Sequence, residues 1–406
     1  MKGKSGMALE IEHEGGIIPV VEGVSSGKAP MRTVVAACVG AGVAHLGTST
    51  MPFQVGALMD GLGLSASAAG TFGFFEVGAL SLSMLLVSPF IHRLTPARVA
   101  FTGALICLLA HVGLYFAPNI LPLLYLIAAI AGAGYGLVFA AMVSGVAASG
   151  NADRVYAIAN GGALVVIVAL MAALPFASAR FGALGPFLGI AILLGITMPA
   201  YAGFRNPPRA PAHQPQISFK QKGVLPLLAI WSAFSFGTGA VWSFAERIGH
   251  GLNVDAETIG IVLSASTFCG ILGTGVAAAF SGRIARIPAL LLGFGATACA
   301  CLLLGFATGI VTFGLGVLMY WIFYMFLYSY LLGSAAALDP NGRIGTAGGG
   351  CERMGFALGA PLGGLLIEHF SFGAVGILGA VACVGLLPFC LPALRAAFKS
   401  NDLRKA

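Results

Sequence analysis

Few ionisable side chains interrupt the long apolar segments of this 406-residue sequence, and these side chains are the first candidates for chemistry. Glu76, Glu352 and Arg353 all lie well inside such segments. At a helical rise of about 1.5 Å per residue, their positions fall near the middle of a hydrocarbon layer about 30 Å thick. Inserting a charge there costs about 2.5 to 3.5 kcal/mol. Side chains kept despite this cost indicate proton transfer or the binding of a charged solute.

Two of these positions leave a choice open. Neighbouring side chains on a helix point about 100° apart, so either Glu352 or Arg353 can face a given ligand. His45, close to Thr48, is a further candidate because imidazole titrates near neutral pH. Its alternative role is that of a hydrogen-bonded packing residue.

Aromatic side chains concentrate in two of the apolar segments. In membrane helices such residues usually mark the interfaces with water, but Trp321 and Tyr324 lie in mid-segment. A cavity wall with flat apolar faces and hydroxyl groups would suit an aromatic or amphipathic solute. Packing between helices is the alternative for each residue. The full set is Trp231, Trp242, Tyr320, Trp321, Tyr324 and Tyr328.

The composition excludes a water-soluble globular protein. Apolar residues make up 58% of the chain and charged residues 9%, with a mean hydropathy of +0.95, whereas soluble domains carry about 25% charged residues. A chain in lipid must form helices or a closed barrel. Long apolar runs without strand-like alternation exclude the barrel. We therefore predict an all-α membrane protein.

Apolar segments of about 20 residues are long enough to cross a bilayer, and the chain contains twelve of them. We expect two six-helix bundles, at residues 32–203 and 224–396, joined by a cytoplasmic linker at 204–223 and flanked by tails at 1–31 and 397–406. The segments cover residues 33–58, 66–90, 97–115, 120–146, 156–176, 184–203, 225–246, 259–280, 287–307, 310–332, 344–367 and 372–394.

Basic residues indicate the orientation. If both termini and the loops after even-numbered segments share one side, that side holds 18 of the 21 Lys and Arg residues. The positive-inside rule then places both termini in the cytoplasm, and we expect a bacterial cytoplasmic (inner) membrane. The net charge of +7 therefore requires no nucleic-acid partner.

A shift of 190 residues aligns the two halves of the chain. Gly47-Thr48 falls on Gly237-Thr238, Gly70 falls on Gly260, and Phe90-x-x-Arg93 falls on Phe280-x-x-Arg283. Agreement on one offset predicts two similar bundles with the same orientation, related by an axis along the membrane normal.

Six plus six helices, a central linker and basic turns after segments 2 and 8 resemble the major facilitator superfamily. The first of these turns departs from the family pattern, Gly-x-x-x-Asp-Arg, because His92 stands where the Asp is expected, before Arg93. Arg283 occupies the matching position in the second half. The resemblance implies a cytoplasmic gate formed by His92, Arg93 and Arg283, without the usual carboxylate.

The resemblance also implies where the candidate residues lie. Helices 1, 4, 7 and 10 would line a central cavity, so His45, Thr48 and the aromatic set would form its wall. Helices 2 and 11 would meet between the halves, so we expect Glu76 to contact Arg353, and this contact to change when Glu76 is protonated or an anion reaches Arg353. A permanent ion pair that only pins the halves is the alternative. From its position at the outer end of segment 7, the Glu246-Arg247 pair would either snorkel to the interface or close an outer gate, rather than bind solute at the centre.

The leading functional hypothesis is a secondary transporter that imports a small organic anion or aromatic acid with protons. The alternative is a proton-antiport efflux pump for amphipathic compounds. A transport ATPase would need a Gly-x-x-x-x-Gly-Lys-Ser/Thr loop, which the chain lacks, and no nucleophile or metal-ligand set supports a membrane enzyme. We expect no cofactor and no metal. The expected partners are the solute, protons and the lipid bilayer, and the expected state is a monomer.

Overall fold

The structure is a computed structural model, and it describes residues 30–87, 90, 94–147, 152–204, 221–280, 283–338 and 343–403. Across these ranges the ordered elements are α-helices and one 3-10 helix, with no β-strand. Residues 1–29, residues 205–220 of the linker and residues 404–406 lie outside the described residues. The first helix begins at Met31, and the last one continues to Leu403, beyond residue 396, where we expected the second bundle to end. The division into two bundles, a linker and two tails stays a prediction.

The first half contains eight α-helices and the 3-10 helix. They are α1 (Met31–Ala44), α2 (Leu46–Ser49), α3 (Met51–Leu62), α4 (Ala66–Val87), α5 (Pro96–Tyr115), α6 (Leu121–Ala147), α7 (Ala152–Phe181) and α8 (Gly185–Thr197), followed by the 3-10 helix Met198–Gly203.

The second half also contains eight α-helices. They are α9 (Val224–Trp242), α10 (Ala245–Gly251), α11 (Ala256–Phe280), α12 (Arg286–Gly305), α13 (Ile310–Leu338), α14 (Arg343–His369), α15 (Phe372–Val384) and α16 (Leu387–Leu403).

Twelve crossings follow from these elements. Among the described residues, ten helical stretches are long and apolar enough to cross a membrane by themselves. The remaining two crossings are α1 to α3, a helix broken into three pieces, and α14, which carries the polar residues Glu352 and Arg353. The predicted all-α membrane fold is confirmed. We call the side where α1 begins and α16 ends the terminal face, and the other side the distal face.

A proline explains one break in the first crossing. Pro52 lies in the first turn of α3, and proline cannot donate to the carbonyl four residues earlier, that of Thr48. The Thr48 carbonyl accepts a bond from the Trp242 indole Nε1 of the other half instead, at 3.1 Å. The break therefore supplies a hydrogen-bond acceptor between the two halves.

The halves meet through two equivalent helix pairs, α4 with α14 and α7 with α11. Gly70 on α4 packs directly on the backbone of Ala360 and Pro361, and Gly260 on α11 packs on Pro175. In each pair, a glycine from one half meets a proline-containing turn of the other. Because Gly70 and Gly260 are related by the 190-residue shift, these contacts agree with the predicted pseudo-twofold axis.

Candidate functional site

Arg353 occupies the centre of the molecule, on α14 between the two halves. Its side chain is 7% exposed. One guanidinium nitrogen lies 3.3 Å from His45 Nε2, and another donates to the Gly349 carbonyl at 3.4 Å. The Phe139 ring on α6 lies under the guanidinium, 4.6 Å from its carbon to the ring centroid. Arg353 thus contacts the first half through α6 and the α1–α2 junction.

The hydrogen bonds of His45 define its tautomer. Because the guanidinium has only donors, His45 Nε2 must accept from Arg353. The other ring nitrogen, Nδ1, lies 2.7 Å from the Ala41 carbonyl and therefore carries the proton. His45 is a neutral acceptor here, so it orients Arg353 without balancing its charge.

The predicted direct contact between Glu76 and Arg353 is not formed in this structure. Glu76 is fully buried within the first half, and its Oε1 accepts from Gln54 Nε2 at 3.4 Å. At this level α6 packs so tightly on α4 that a Cβ on Gly132 would overlap the Glu76 carbonyl oxygen. The Glu76 carboxyl group therefore faces α3 in its own bundle.

Neither Arg353 nor Glu76 has an ion-pair partner among the described residues. Among the described residues, no carboxylate lies within 4.0 Å of the Arg353 guanidinium, and no cationic group lies that close to Glu76. The Oε2 atom of Glu76 is buried and has no hydrogen-bond partner in the part of the chain that the structure describes. A permanent Glu76–Arg353 ion pair is thus not part of this conformation.

Glu352 faces a different environment from its neighbour. It lies on the same stripe of α14 as Gly348 and Gly355, which pack on Trp231 and on the backbone of α9. Its Oε1 accepts from the Tyr324 hydroxyl at 2.6 Å. Glu352 therefore faces the interior of the second half, while Arg353 faces the first.

The aromatic residues form one continuous cluster beside Glu352. Trp242 stacks on Tyr320 with ring centroids 5.5 Å apart, and Tyr320 stacks on Tyr324 at 5.8 Å. Tyr324 stacks on Tyr328 at 6.4 Å, and Trp231 meets Tyr328 edge to face at 5.8 Å. Trp321 packs against Trp242, Tyr320 and Tyr324. The cluster runs along α13 from the distal half towards the terminal face.

An ion-pair network connects the halves at the distal face. Arg247 on α10 donates through two nitrogens to the Asp60 carboxylate on α3, one bond measuring 2.8 Å, and its Nε donates to Glu246 at 2.7 Å. His250 Nε2 lies 2.9 Å from Glu246. Glu246 packs against Gly56, where a Cβ would collide with the carboxylate. This network joins α3 and α10 where the sequence predicted an outer gate.

Comparison with known proteins identifies the fold family. The family model described as Major Facilitator Superfamily matches residues 37–350. This chain belongs to the Major Facilitator Superfamily. Among curated proteins, none matches the sequence.

Solved structures of other superfamily-type transporters share the fold at low identity. The nucleoside transporter NupG has 14% identity and a TM-score of 0.69, over 89% of this chain and 99% of that one. The peptide transporter POT in complex with sulfate has 13% identity and a TM-score of 0.68, over 89% and 94%. A bacterial homolog to the human lysosomal transporter Spinster, inward-facing and unoccupied, has 14% identity and a TM-score of 0.60, over 93% and 98%. This chain is accordingly a transporter by family, and at such identities the structural matches describe the fold alone.

The contacts between the two halves of this superfamily chain are unevenly distributed. In the ranges that the structure describes, the hydrogen bonds and ion pairs between halves lie at mid-depth or towards the distal face. Glu368 near the end of α14, for example, accepts from the backbone and hydroxyl of Ser67 at 2.7 and 2.9 Å. The distal side is therefore closed in this conformation.

Two surface depressions lie away from the centre. One, of about 370 Å³, is bordered by Met31, Arg32 and Gly203 near the terminal face, and the other, of about 360 Å³, by Tyr115 and Phe181 near the distal face. Neither touches Arg353 or the aromatic cluster.

Of the three residues of the predicted cytoplasmic gate, Arg283 lies among the described residues. His92 and Arg93 lie outside the described residues, while Arg283 donates to the Ala279 carbonyl within its own turn at 3.2 Å. The sequence reading missed Phe139 and Asp60, each of which contacts an arginine of the other half. The 190-residue shift aligns Asp60 with His250 and Gly56 with Glu246. The repeat therefore relates this part of α3 to the predicted outer gate on α10.

Weakening the distal network should open the distal side of this transporter. In an Asp60→Asn variant the bond across the halves loses one charge while the Arg247–Glu246 pair within α10 is kept. A partly exposed pair of this kind contributes up to about 1 kcal/mol, or a change of about fivefold in the closed-to-open ratio. We expect a longer distance between spin-labelled amino acids introduced at Pro118 and Thr308, both exposed at the distal face.

Asp255→Asn is the matched control, because Asp255 is exposed and bonds only within its own helix start, to the Thr258 amide at 2.9 Å. An unchanged distance distribution in Asp60→Asn would show that this network does not hold the distal side closed.

Proposed function

We propose that the protein is a secondary transporter that imports a small organic solute bearing a carboxylate, an organic anion or aromatic acid, together with protons. Transport would proceed by alternating access of the two bundles. The observation that carries this proposal is the position of Arg353: central, buried, between the halves, and without a carboxylate partner among the described residues.

The energetics of Arg353 favour an anionic ligand. A buried charge without a counter-ion is costly, and its present neighbours, His45, Phe139 and the Gly349 carbonyl, supply only dipoles and a ring face. A planar guanidinium matches a carboxylate through two parallel hydrogen bonds. A solute carboxylate would supply the missing negative charge.

The surroundings favour a solute with a flat apolar part. Tyr324 and Tyr328 are stacked on one side of α13, close to Glu352 on the neighbouring α14. A further aromatic ring that packs against such a pair contributes about 0.5 to 1.5 kcal/mol beyond burial. An aromatic acid would combine both contacts.

Glu76 is the proposed proton carrier. Its carboxyl group is fully buried and has one hydrogen bond, from Gln54. Because no cation among the described residues neutralises it, adding or removing a proton changes a buried charge, and a change of this kind can bias one conformation over another. Proton coupling of transport would follow from that bias.

The distribution of basic residues suggests which face of the protein lies outside the cell. With both termini in the cytoplasm, as the positive-inside rule proposes for a bacterial inner membrane, the closed distal side faces outward. Import would require a second conformation in which the Asp60–Arg247 network is broken.

Efflux of amphipathic compounds by proton antiport is the second candidate, favoured by the length of the aromatic cluster. The two candidates differ in the direction of the proton gradient that drives them. An importer accumulates solute in vesicles with an alkaline lumen, whereas an antiporter accumulates it in vesicles with an acidic lumen.

Accumulation in proteoliposomes tests the proposal. The probes are radiolabelled 3,4-dihydroxybenzoate, 4-hydroxyphenylacetate and L-tyrosine, whose hydroxyl groups slow passive diffusion, and protein-free vesicles provide the baseline. For one proton per solute carboxylate, one pH unit supports about tenfold accumulation. Accumulation of none of the three with an alkaline lumen would overturn proton-coupled import of aromatic acids. Uptake of amphipathic dyes with an acidic lumen would establish the efflux candidate instead.

A further inference from the structure

Adjacent residues of α14 present opposite charges to two different surroundings. Arg353 faces His45 and Phe139 of the first half, and Glu352 faces Tyr324 of the second. The two side chains are within electrostatic range of each other, yet no ion pair of 4.0 Å or less joins them. In a permanent ion pair, the Glu352 carboxylate and the Arg353 guanidinium would lie within 4.0 Å of each other.

Among the described residues, Glu352 has a carboxylate oxygen without a hydrogen bond, and Arg353 has no counter-ion. The Oε2 atom of Glu352 is buried and has no hydrogen-bond partner within 3.5 Å among the described residues, and the same holds for the nearby Trp231 Nε1. Arg353 has only uncharged contacts among the described residues. Buried polar atoms are normally satisfied, so these unmade bonds indicate groups that a ligand completes.

The surface beside Glu352 is suited to a cation. Tyr324 donates to Glu352 and stacks on Tyr328, and both tyrosines are only partly buried. An ammonium group is attracted to a carboxylate and to an aromatic ring, the latter by about 0.5 to 2 kcal/mol. An ammonium placed here would meet the free oxygen of Glu352 and the tyrosine rings together.

We propose that the solute is a zwitterion of the α-amino-acid class with an apolar, preferably aromatic, side chain. Its carboxylate binds Arg353, its ammonium group binds Glu352 beside Tyr324 and Tyr328, and its side chain lies along the aromatic cluster. This inference rests on the proposed function for the carboxylate contact at Arg353, and it adds the ammonium contact at Glu352.

Three matched compounds test the inference on the purified, full-length protein. L-Phenylalanine carries both charges, 3-phenylpropionate lacks the ammonium group, and phenethylamine lacks the carboxylate. Equilibrium binding, read as the concentration that half-maximally raises the melting temperature, requires neither a membrane nor a variant. We expect L-phenylalanine to bind at least tenfold more tightly than either single-charge compound.

The Glu352→Gln variant tests whether Glu352 is the residue that binds the ammonium group. We expect this variant to lose the preference for L-phenylalanine while binding 3-phenylpropionate as the unchanged protein does. Glu257→Gln, an exposed site on α11, is the matched control and should keep the preference.

The outcomes separate the two proposals. Equal binding of L-phenylalanine and 3-phenylpropionate would overturn the zwitterion and leave carboxylate transport intact. A preference that survives Glu352→Gln would overturn the role of Glu352. Tightest binding of phenethylamine, or binding of none of the three, would overturn this inference. Proton-driven accumulation of 3,4-dihydroxybenzoate or 4-hydroxyphenylacetate in vesicles would still support the proposed function in those cases.

Discussion

Arg353→Gln should abolish solute binding, and with it both accumulation and exchange. Truncating one partner of a buried, hydrogen-bonded charge pair costs about 2 to 5 kcal/mol, which is a loss of about thirtyfold to several thousandfold in affinity. The measurement is equilibrium binding of the carboxylate that the unchanged protein binds most tightly among those named above. Arg353→Lys should recover little, because an ammonium group cannot make two parallel bonds to a carboxylate.

Stability provides the control for this variant. Without solute, Arg353 is a buried charge that lacks a counter-ion among the described residues, and replacing such a charge by a neutral group is often neutral or stabilising. We therefore expect the melting temperature of ligand-free Arg353→Gln to stay level or rise while binding is lost. If the folded variant binds solute as tightly as the unchanged protein does, Arg353 is not part of the binding site.

Glu76→Gln should separate proton coupling from solute movement. Glutamine keeps the shape of the side chain and an oxygen that can accept from Gln54, but it carries no titratable proton. Accumulation driven by an alkaline lumen should fall to the level of protein-free vesicles. Counterflow, in which labelled solute exchanges for unlabelled solute without a net proton flux, should persist.

The control for the second variant is Glu257→Gln, which removes a carboxylate at an exposed position of α11 and should leave accumulation unchanged. Loss of counterflow together with accumulation would mean that Glu76 is needed for folding or for the conformational change itself. Undiminished accumulation in Glu76→Gln would assign the coupling to another residue.

The architecture could be predicted from the sequence because the patterns that indicate it extend over many residues. Twelve apolar runs and the 190-residue repeat extend over most of the chain, and the equivalent contacts of Gly70 and Gly260 follow from that repeat. The identity of the scarce buried charges also follows from sequence, since charges in hydrocarbon are costly wherever they point.

The partners of those charges were harder to predict, because they depend on how each helix is rotated about its axis. A helix that is apolar all round has no polar face to set this rotation, and α4 around Glu76 is of this kind. Its rotation is set by close packing at Gly132, which no sequence period reveals. Glu76 consequently faces Gln54 on α3, and Arg353 meets His45 and Phe139 instead.

The break in the first crossing is an intermediate case. Pro52 is visible in the sequence and predicts a freed Thr48 carbonyl. That this carbonyl meets Trp242 of the other half depends on how the two bundles are docked.

An experimental structure of the protein with its best-bound carboxylate tests most directly whether Arg353 binds the solute between the two halves. We expect the solute between the two halves, with its carboxylate oxygens within hydrogen-bond distance of the Arg353 guanidinium and its apolar part against Tyr324 and Tyr328. A solute bound within one bundle, with Arg353 still held by His45 and Phe139 alone, would contradict this expectation.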